Sequence, residues 1–161
     1  MRKLLAGLGA LLFLFLAPGT LAGLLPWWIS QGRLRPPFFD QIGFRVLGGI
    51  LIAAGLIPLL ESFARFVWKG LGTPAPVFPT RHLVVSGFYR YVRNPMYLGH
   101  LIFMLGLALT FWSWFALVLL VLRAAWFQSR VLHDEARLEK VFGAEYDAYR
   151  ARVKRWIPGV L

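Results

Sequence analysis

The sequence predicts an all-α integral membrane protein. About four transmembrane helices are expected, with a C-terminal helical hairpin followed by a cytoplasmic amphipathic helix. Three observations carry that expectation. Of the 161 residues, 58% are hydrophobic and 16% charged, against roughly 45–50% and 25% in soluble domains. The apolar residues come in blocks about as long as a bilayer core requires. The formal net charge is +11, and the basic residues flank the apolar blocks, as they do on the cytoplasmic side of a membrane. The length suits a single membrane domain, 1–161. Because the charge sits at membrane boundaries rather than along one soluble face, a nucleic-acid partner is not expected. Cysteine is absent, which removes disulfides, thiolate catalysis and Cys-ligated metals.

The first span is expected over about 4–25, after the basic pair Arg2 and Lys3. Such a start also suits a signal peptide, but the run reaches the ~20 residues needed to cross, longer than a usual signal core. Pro18 and Gly19 should bend it. Residues 26–41 read as a loop with Trp27 and Trp28 at the interface, and Asp40 can cap the helix that follows. The second span is expected over about 42–62. Its small residues Gly48, Gly49, Ala53, Ala54 and Gly55 allow close packing against another helix.

Residues 63–94 change character. Pro74, Pro76 and Pro79 stand among Arg65, Lys69, Arg81, Arg90 and Arg93, and the segment reads as a long functional loop. Residues 95–122 then carry no Asp, Glu, Lys or Arg. As one helix they would run about 42 Å, too long for a ~30 Å core without heavy tilt. The block therefore divides at the turn-like 110–114 (TFWSW) into spans over about 95–110 and 113–130. With the basic loops inside, both termini are cytoplasmic. Residues 131–157 place Leu138, Phe142, Tyr146, Tyr149, Val153 and Trp156 on one helical face. That face is expected to lie on the membrane surface, interrupted at Gly143.

Three pieces converge on the cytoplasmic ends of the hairpin: 82–93, 94–99 and 130–146. Tyr89, Tyr91 and Tyr97 offer flat faces for a purine or a cation. Asp134 and Glu135 can accept from ribose hydroxyls or an ammonium group. Arg93 and Arg130 can hold a carboxylate or phosphate bidentately. These residue types suit a nucleotide-like, zwitterionic ligand; they equally suit an Arg–carboxylate network that ties helix ends together. His82, His100 and His133 are not at zinc-site spacing, and no metal site is expected. His100 lies inside an apolar helix, where a neutral packing role is the simpler reading.

The ordered motifs are Leu83-Val84-Val85-Ser86-Gly87-Phe88-Tyr89, Arg93-Asn94-Pro95-Met96-Tyr97-Leu98-Gly99, Asp134-Glu135, Phe142-Gly143-Ala144-Glu145-Tyr146 and a closing Pro158. Over about residues 80–158 this set resembles the isoprenylcysteine carboxyl methyltransferase and phospholipid methyltransferase superfamily of membrane enzymes, in a bacterial inner-membrane form. The resemblance implies S-adenosylmethionine as cofactor. It implies that Arg81, His82, Leu83, Val84, Tyr89, Asn94, Pro95, Met96, Tyr97 and Asp134 hold it, with Arg93 beside them. Arg130, four residues before the acid, is implied to place the substrate. Asn94 stands where the carboxyl methyltransferases carry His, and Asp134 where they carry Glu, so Glu135 is expected to share the cofactor contact. The implied reaction is methyl transfer to a lipophilic carboxylate or amine entering from the bilayer, with Glu135 as proton acceptor for an amine. The competing readings are a non-catalytic membrane scaffold of the same fold and an NADPH-dependent membrane reductase. The sequence does not name the acceptor.

Overall fold

The computed structural model describes residues 42–70, 82–111 and 114–157 continuously, together with isolated positions 7–9, 12, 20, 24 and 28. The first expected span, the 26–41 loop, the proline-rich stretch with Arg81, and Pro158 lie outside the described residues. Four helices form the described body: α1 (Ile42–Trp68), α2 (Pro95–Phe111), α3 (Trp114–Phe142) and α4 (Ala144–Arg152), with a short 3-10 helix at Gly87–Arg90. α1 and α3 are long and apolar enough to cross a membrane, and α2 is a shorter apolar helix. Among the described residues there is no strand, only an isolated bridge between Val92 and Lys154.

α1 continues past the expected end near 62 and takes residues 63–68 from the loop. Glu61 and Arg65 pair across one turn, and Phe63 is buried beside Leu59 and Met96. Continued burial and an i,i+4 ion pair both favour carrying the helix on. Pro58 sits inside it and has no N–H to donate to the preceding turn. The Ser62 hydroxyl donates back to the Pro58 carbonyl at 2.6 Å.

α1 and α2 pack antiparallel through glycines spaced seven apart on each helix. A Cβ on Gly55 would stand 2.6 Å from the Gly99 carbonyl, and one on Gly106 2.7 Å from the Gly48 carbonyl. Only hydrogen fits there, so the backbones meet directly. Of the small-residue stretch in α1, Gly48 and Gly55 make this contact, whereas Gly49 faces open space.

α2 ends at Phe111 and α3 begins at Trp114, where the turn was expected. α3 then differs from expectation in that the span expected to end near 130 runs unbroken into the amphipathic segment and stops at Phe142, beside the interruption expected at Gly143. Gly143, at φ 49°, turns the chain, and α4 has nine residues. The apolar face expected to rest on the membrane packs inward instead. Tyr146, Tyr149 and Val153 form a buried cluster with Leu83, Leu138 and Phe142. The turn at Gly143 folds that face back onto the protein, where it finds apolar partners. The tail is then laced to the segment before α2. The Arg93 amide donates to the Lys154 carbonyl at 2.8 Å, Asn94 Nδ2 to the Arg155 carbonyl at 3.4 Å, and the Tyr149 hydroxyl to the Tyr89 carbonyl at 2.7 Å.

Candidate active site

A cavity with an open mouth lies where the 83–97 segment, α3 and α4 meet. Leu83, Val84, Tyr89, Arg93, Asn94, Met96, Tyr97, Asp134 and Glu135 all line it, although 37 or more residues separate the first seven from the last two. Phe66 of α1, Arg137 and Leu138 of α3, and Tyr146 and Tyr149 of α4 complete the wall.

The segment before α2 is braced from α1. Arg65 Nη1 donates to the Ser86 hydroxyl at 2.8 Å, and Gly87 at φ 66° lies against Glu61 and Arg65, leaving no room for a side chain. Tyr89 is buried edge-on to Phe66, with Ser62 as its hydroxyl's partner. Burial pushes the phenols of Tyr89, Tyr149 and Tyr146 up, so all three are neutral donors at physiological pH.

Two acidic residues of α3 hold the polar side, in different ways. Asp134 accepts from the Tyr97 hydroxyl at 3.0 Å and lies 3.1 Å from Arg130 Nη2. The Tyr97 ring stacks on Phe127 at 4.6 Å, which fixes the direction of its hydroxyl. Glu135 is gripped by Arg155, Nε to Oε1 at 3.0 Å and Nη2 to Oε2 at 2.7 Å. Arg93 Nη2 approaches the same carboxylate at 3.4 Å, and the carboxylate raises the Arg155 guanidinium above its ordinary value. With both oxygens engaged, Glu135 is arranged as an anchor for two arginines rather than as a free proton acceptor.

Arg93 is held by that anchor but not used up. Its side chain is only 10% exposed, and among the described residues Nε and Nη1 make no well-formed hydrogen bond, although the guanidinium stands beside the Tyr146 hydroxyl. The buried Tyr146 hydroxyl is likewise without an acceptor among the described residues. Buried donors are rarely left unpaired, and these three donor groups belong to cavity-lining side chains.

Of the remaining expected site residues, Pro95 starts α2 and lines a separate apolar pocket with Pro58 and Phe88. Arg130 stands behind Asp134, outside the wall. His82 is exposed and is not part of the wall, and Arg81 lies outside the described residues. Sequence reasoning did not find Arg155, Phe66 or the brace from Glu61 and Arg65. Arg155 carries no motif, and Phe66 sits in what read as loop.

Fold and cavity together define a helical membrane protein with a cavity built where its helix ends meet. Residues 44–145 match the phospholipid methyltransferase family, and the chain belongs to it. The chain is 32% identical, over 86% of its length, to protein-S-isoprenylcysteine O-methyltransferase of Schizosaccharomyces pombe, covering 64% of that protein. It is 28% identical, over 83% of its length, to protein-S-isoprenylcysteine O-methyltransferase B of Arabidopsis thaliana, covering 61%. The chain thus spans under two thirds of these relatives. No solved structure matches it.

Proposed function

We propose that this protein transfers a methyl group from S-adenosylmethionine to a lipophilic acceptor at the cytoplasmic face of the membrane. Both termini would be cytoplasmic, in a bacterial inner membrane. The observation that carries the reading is a buried Arg93 guanidinium beside the Tyr146 hydroxyl on the cavity wall, with donors that no acceptor among the described residues fully satisfies. They are the partners that an amino-acid carboxylate requires. Family membership and the methyltransferase relatives support the same reaction, and no observation favours the scaffold or reductase readings.

The cofactor would supply a methyl group on an already electrophilic sulfonium, so the protein's task is positioning and exclusion of water. Arg93 and Tyr146 bind the carboxylate end. Asp134, aimed by Tyr97, accepts from the ammonium group or ribose hydroxyls, with Asn94 beside it. Phe66, Leu83, Val84, Met96 and Leu138 offer the apolar wall on which a purine packs. Glu135 keeps Arg93 in place through its shared grip with Arg155. Arg130, on the far side of Asp134, faces the acceptor. The relatives' names point to a prenylated cysteine carboxylate as acceptor, entering from the bilayer. A carboxylate needs no proton removed before it attacks.

Titration of the detergent-purified protein with S-adenosylhomocysteine by calorimetry tests this reading. Micromolar binding that Arg93→Ala abolishes is expected. A folded protein that binds nothing at millimolar ligand would overturn the reading.

A further inference from the structure

Arg137 of α3 lines the cavity and takes no part in holding the carboxylate, ammonium or ribose groups. It also differs from the rest of the wall. Every other lining residue is buried or half-buried, whereas Arg137 is exposed, so it stands at the mouth. Its guanidinium makes no ion pair and no hydrogen bond among the described residues. Asp134 lies three residues back on the same helix, within ordinary i,i+3 reach, yet its carboxylate is turned to Tyr97 and Arg130. Glu135 is gripped by Arg155 and Arg93. Both acids of the wall are engaged elsewhere, and Arg137 is left as a free cation beside an open cavity.

The ligand decides what a free guanidinium can hold there. Arg93 and Tyr146, at the buried end, take the amino-acid carboxylate, which is the one anionic group of S-adenosylmethionine. No anion remains for Arg137. The nucleoside end carries a flat, uncharged purine, and a planar guanidinium covers such a face as it covers an aromatic side chain. Leu138 follows Arg137 directly on α3, and Leu83 meets the same buried cluster as Leu138. These are residues of the apolar wall on which the purine packs. Asp134, which accepts from ribose hydroxyls, is one turn away in the other direction. A nucleoside held between Asp134 and Leu138 lies beside Arg137. The long methylene stem of arginine can rest on apolar surface while its head reaches across the mouth.

We propose that Arg137 caps the purine of the bound cofactor, stacking its guanidinium on the open face of the base and closing the cavity mouth to water. The inference rests on the methyltransferase reading and gives a binding role to a residue that lies outside the carboxylate, ammonium and ribose contacts. Arg137 and Arg93 then hold opposite ends of one ligand, the first by its plane and the second by its charge and fork.

Calorimetry on the detergent-purified full chain tests this with two ligands. S-adenosylhomocysteine has both ends, and 5′-methylthioadenosine has the purine and ribose without the amino-acid end. Arg137→Ala should weaken both by the same factor, roughly fivefold. Arg137→Lys, which keeps the charge and loses the plane, should recover less than half of that loss. Arg93→Ala should show the opposite pattern, weakening S-adenosylhomocysteine and leaving 5′-methylthioadenosine within about twofold. The melting temperature of Arg137→Ala should match that of the unaltered protein, since the side chain is exposed and unpaired. A loss confined to S-adenosylhomocysteine would place Arg137 at the amino-acid end and overturn the cap. Unchanged affinity for both ligands would overturn it too, as would an Arg137→Lys variant that binds both like the unaltered protein. So would an unaltered protein that binds S-adenosylhomocysteine but not 5′-methylthioadenosine at millimolar concentration, because the base end would then carry no affinity. A folded protein that binds neither ligand strikes the methyltransferase reading and the cap together, whereas each of the other failures strikes Arg137 alone.

Discussion

Arg93 and Tyr149 show how much single side chains carry in this protein. Arg93 is planar and forked, with one nitrogen committed to Glu135 and two that find no full acceptor among the described residues. Lysine would preserve the charge and lose the fork. Arg93→Lys is therefore expected to weaken S-adenosylhomocysteine binding by about tenfold or more while the protein still folds, read by calorimetry and melting. Tyr149 does the opposite kind of work. Its buried hydroxyl satisfies the Tyr89 carbonyl, and Tyr149→Phe leaves that carbonyl unpaired. Such a loss costs about 1–3 kcal/mol, so a lower melting temperature is expected.

Between helices, the α1–α2 seam depends on the absence of side chains. Gly55→Leu would drive a branched chain into the Gly99 carbonyl, and overpacking costs about 1–3 kcal/mol where neighbours can yield. Backbone yields less than side chain, so a loss at the upper end is expected, with a matching drop in melting temperature. Gly49→Ala is the control, since Gly49 faces open space inside the helix and its replacement should not lower the melting temperature. The Gly seam also governs the site. α1 contributes Phe66 to the cavity wall and braces Gly87 through Glu61 and Arg65. Gly55→Leu should therefore weaken S-adenosylhomocysteine binding as well as stability.

Across the whole molecule, the cavity exists only because the chain returns on itself after Gly143. Tyr146 and Tyr149 form part of its wall, and Arg155 closes over Glu135. Removing residues 143–161 should abolish S-adenosylhomocysteine binding while α1–α3 keep their helical circular-dichroism signal. Retained binding would show that the tail is not part of the site. The same return explains why the amphipathic face of 138–156 does not rest on lipid. Tyr146 is 1% and Tyr149 5% exposed, both against protein.

The sequence by itself determined the all-helical membrane class and, to within a residue, the starts of α1, α2 and α3, because apolar block length, charge placement and turn residues are local properties. It also determined most of the cavity wall. Tyr89, Arg93, Tyr97, Asp134 and Glu135 carry chemistry legible from residue type, the family resemblance adds Leu83, Val84, Asn94 and Met96, and the structure gathers all nine. Only the tertiary structure decided who faces whom. Gly48 and Gly55 matter and Gly49 does not, because helix rotation selects the face that meets α2. Glu135 became an anchor because Arg155 reached it from 20 residues further along, a pairing no periodicity announces. Phe66 joined the wall because Glu61 and Arg65 carried α1 one more turn, beyond where composition alone would end it. Non-local contacts of this kind follow from packing and chain reversal, which a one-dimensional pattern does not encode.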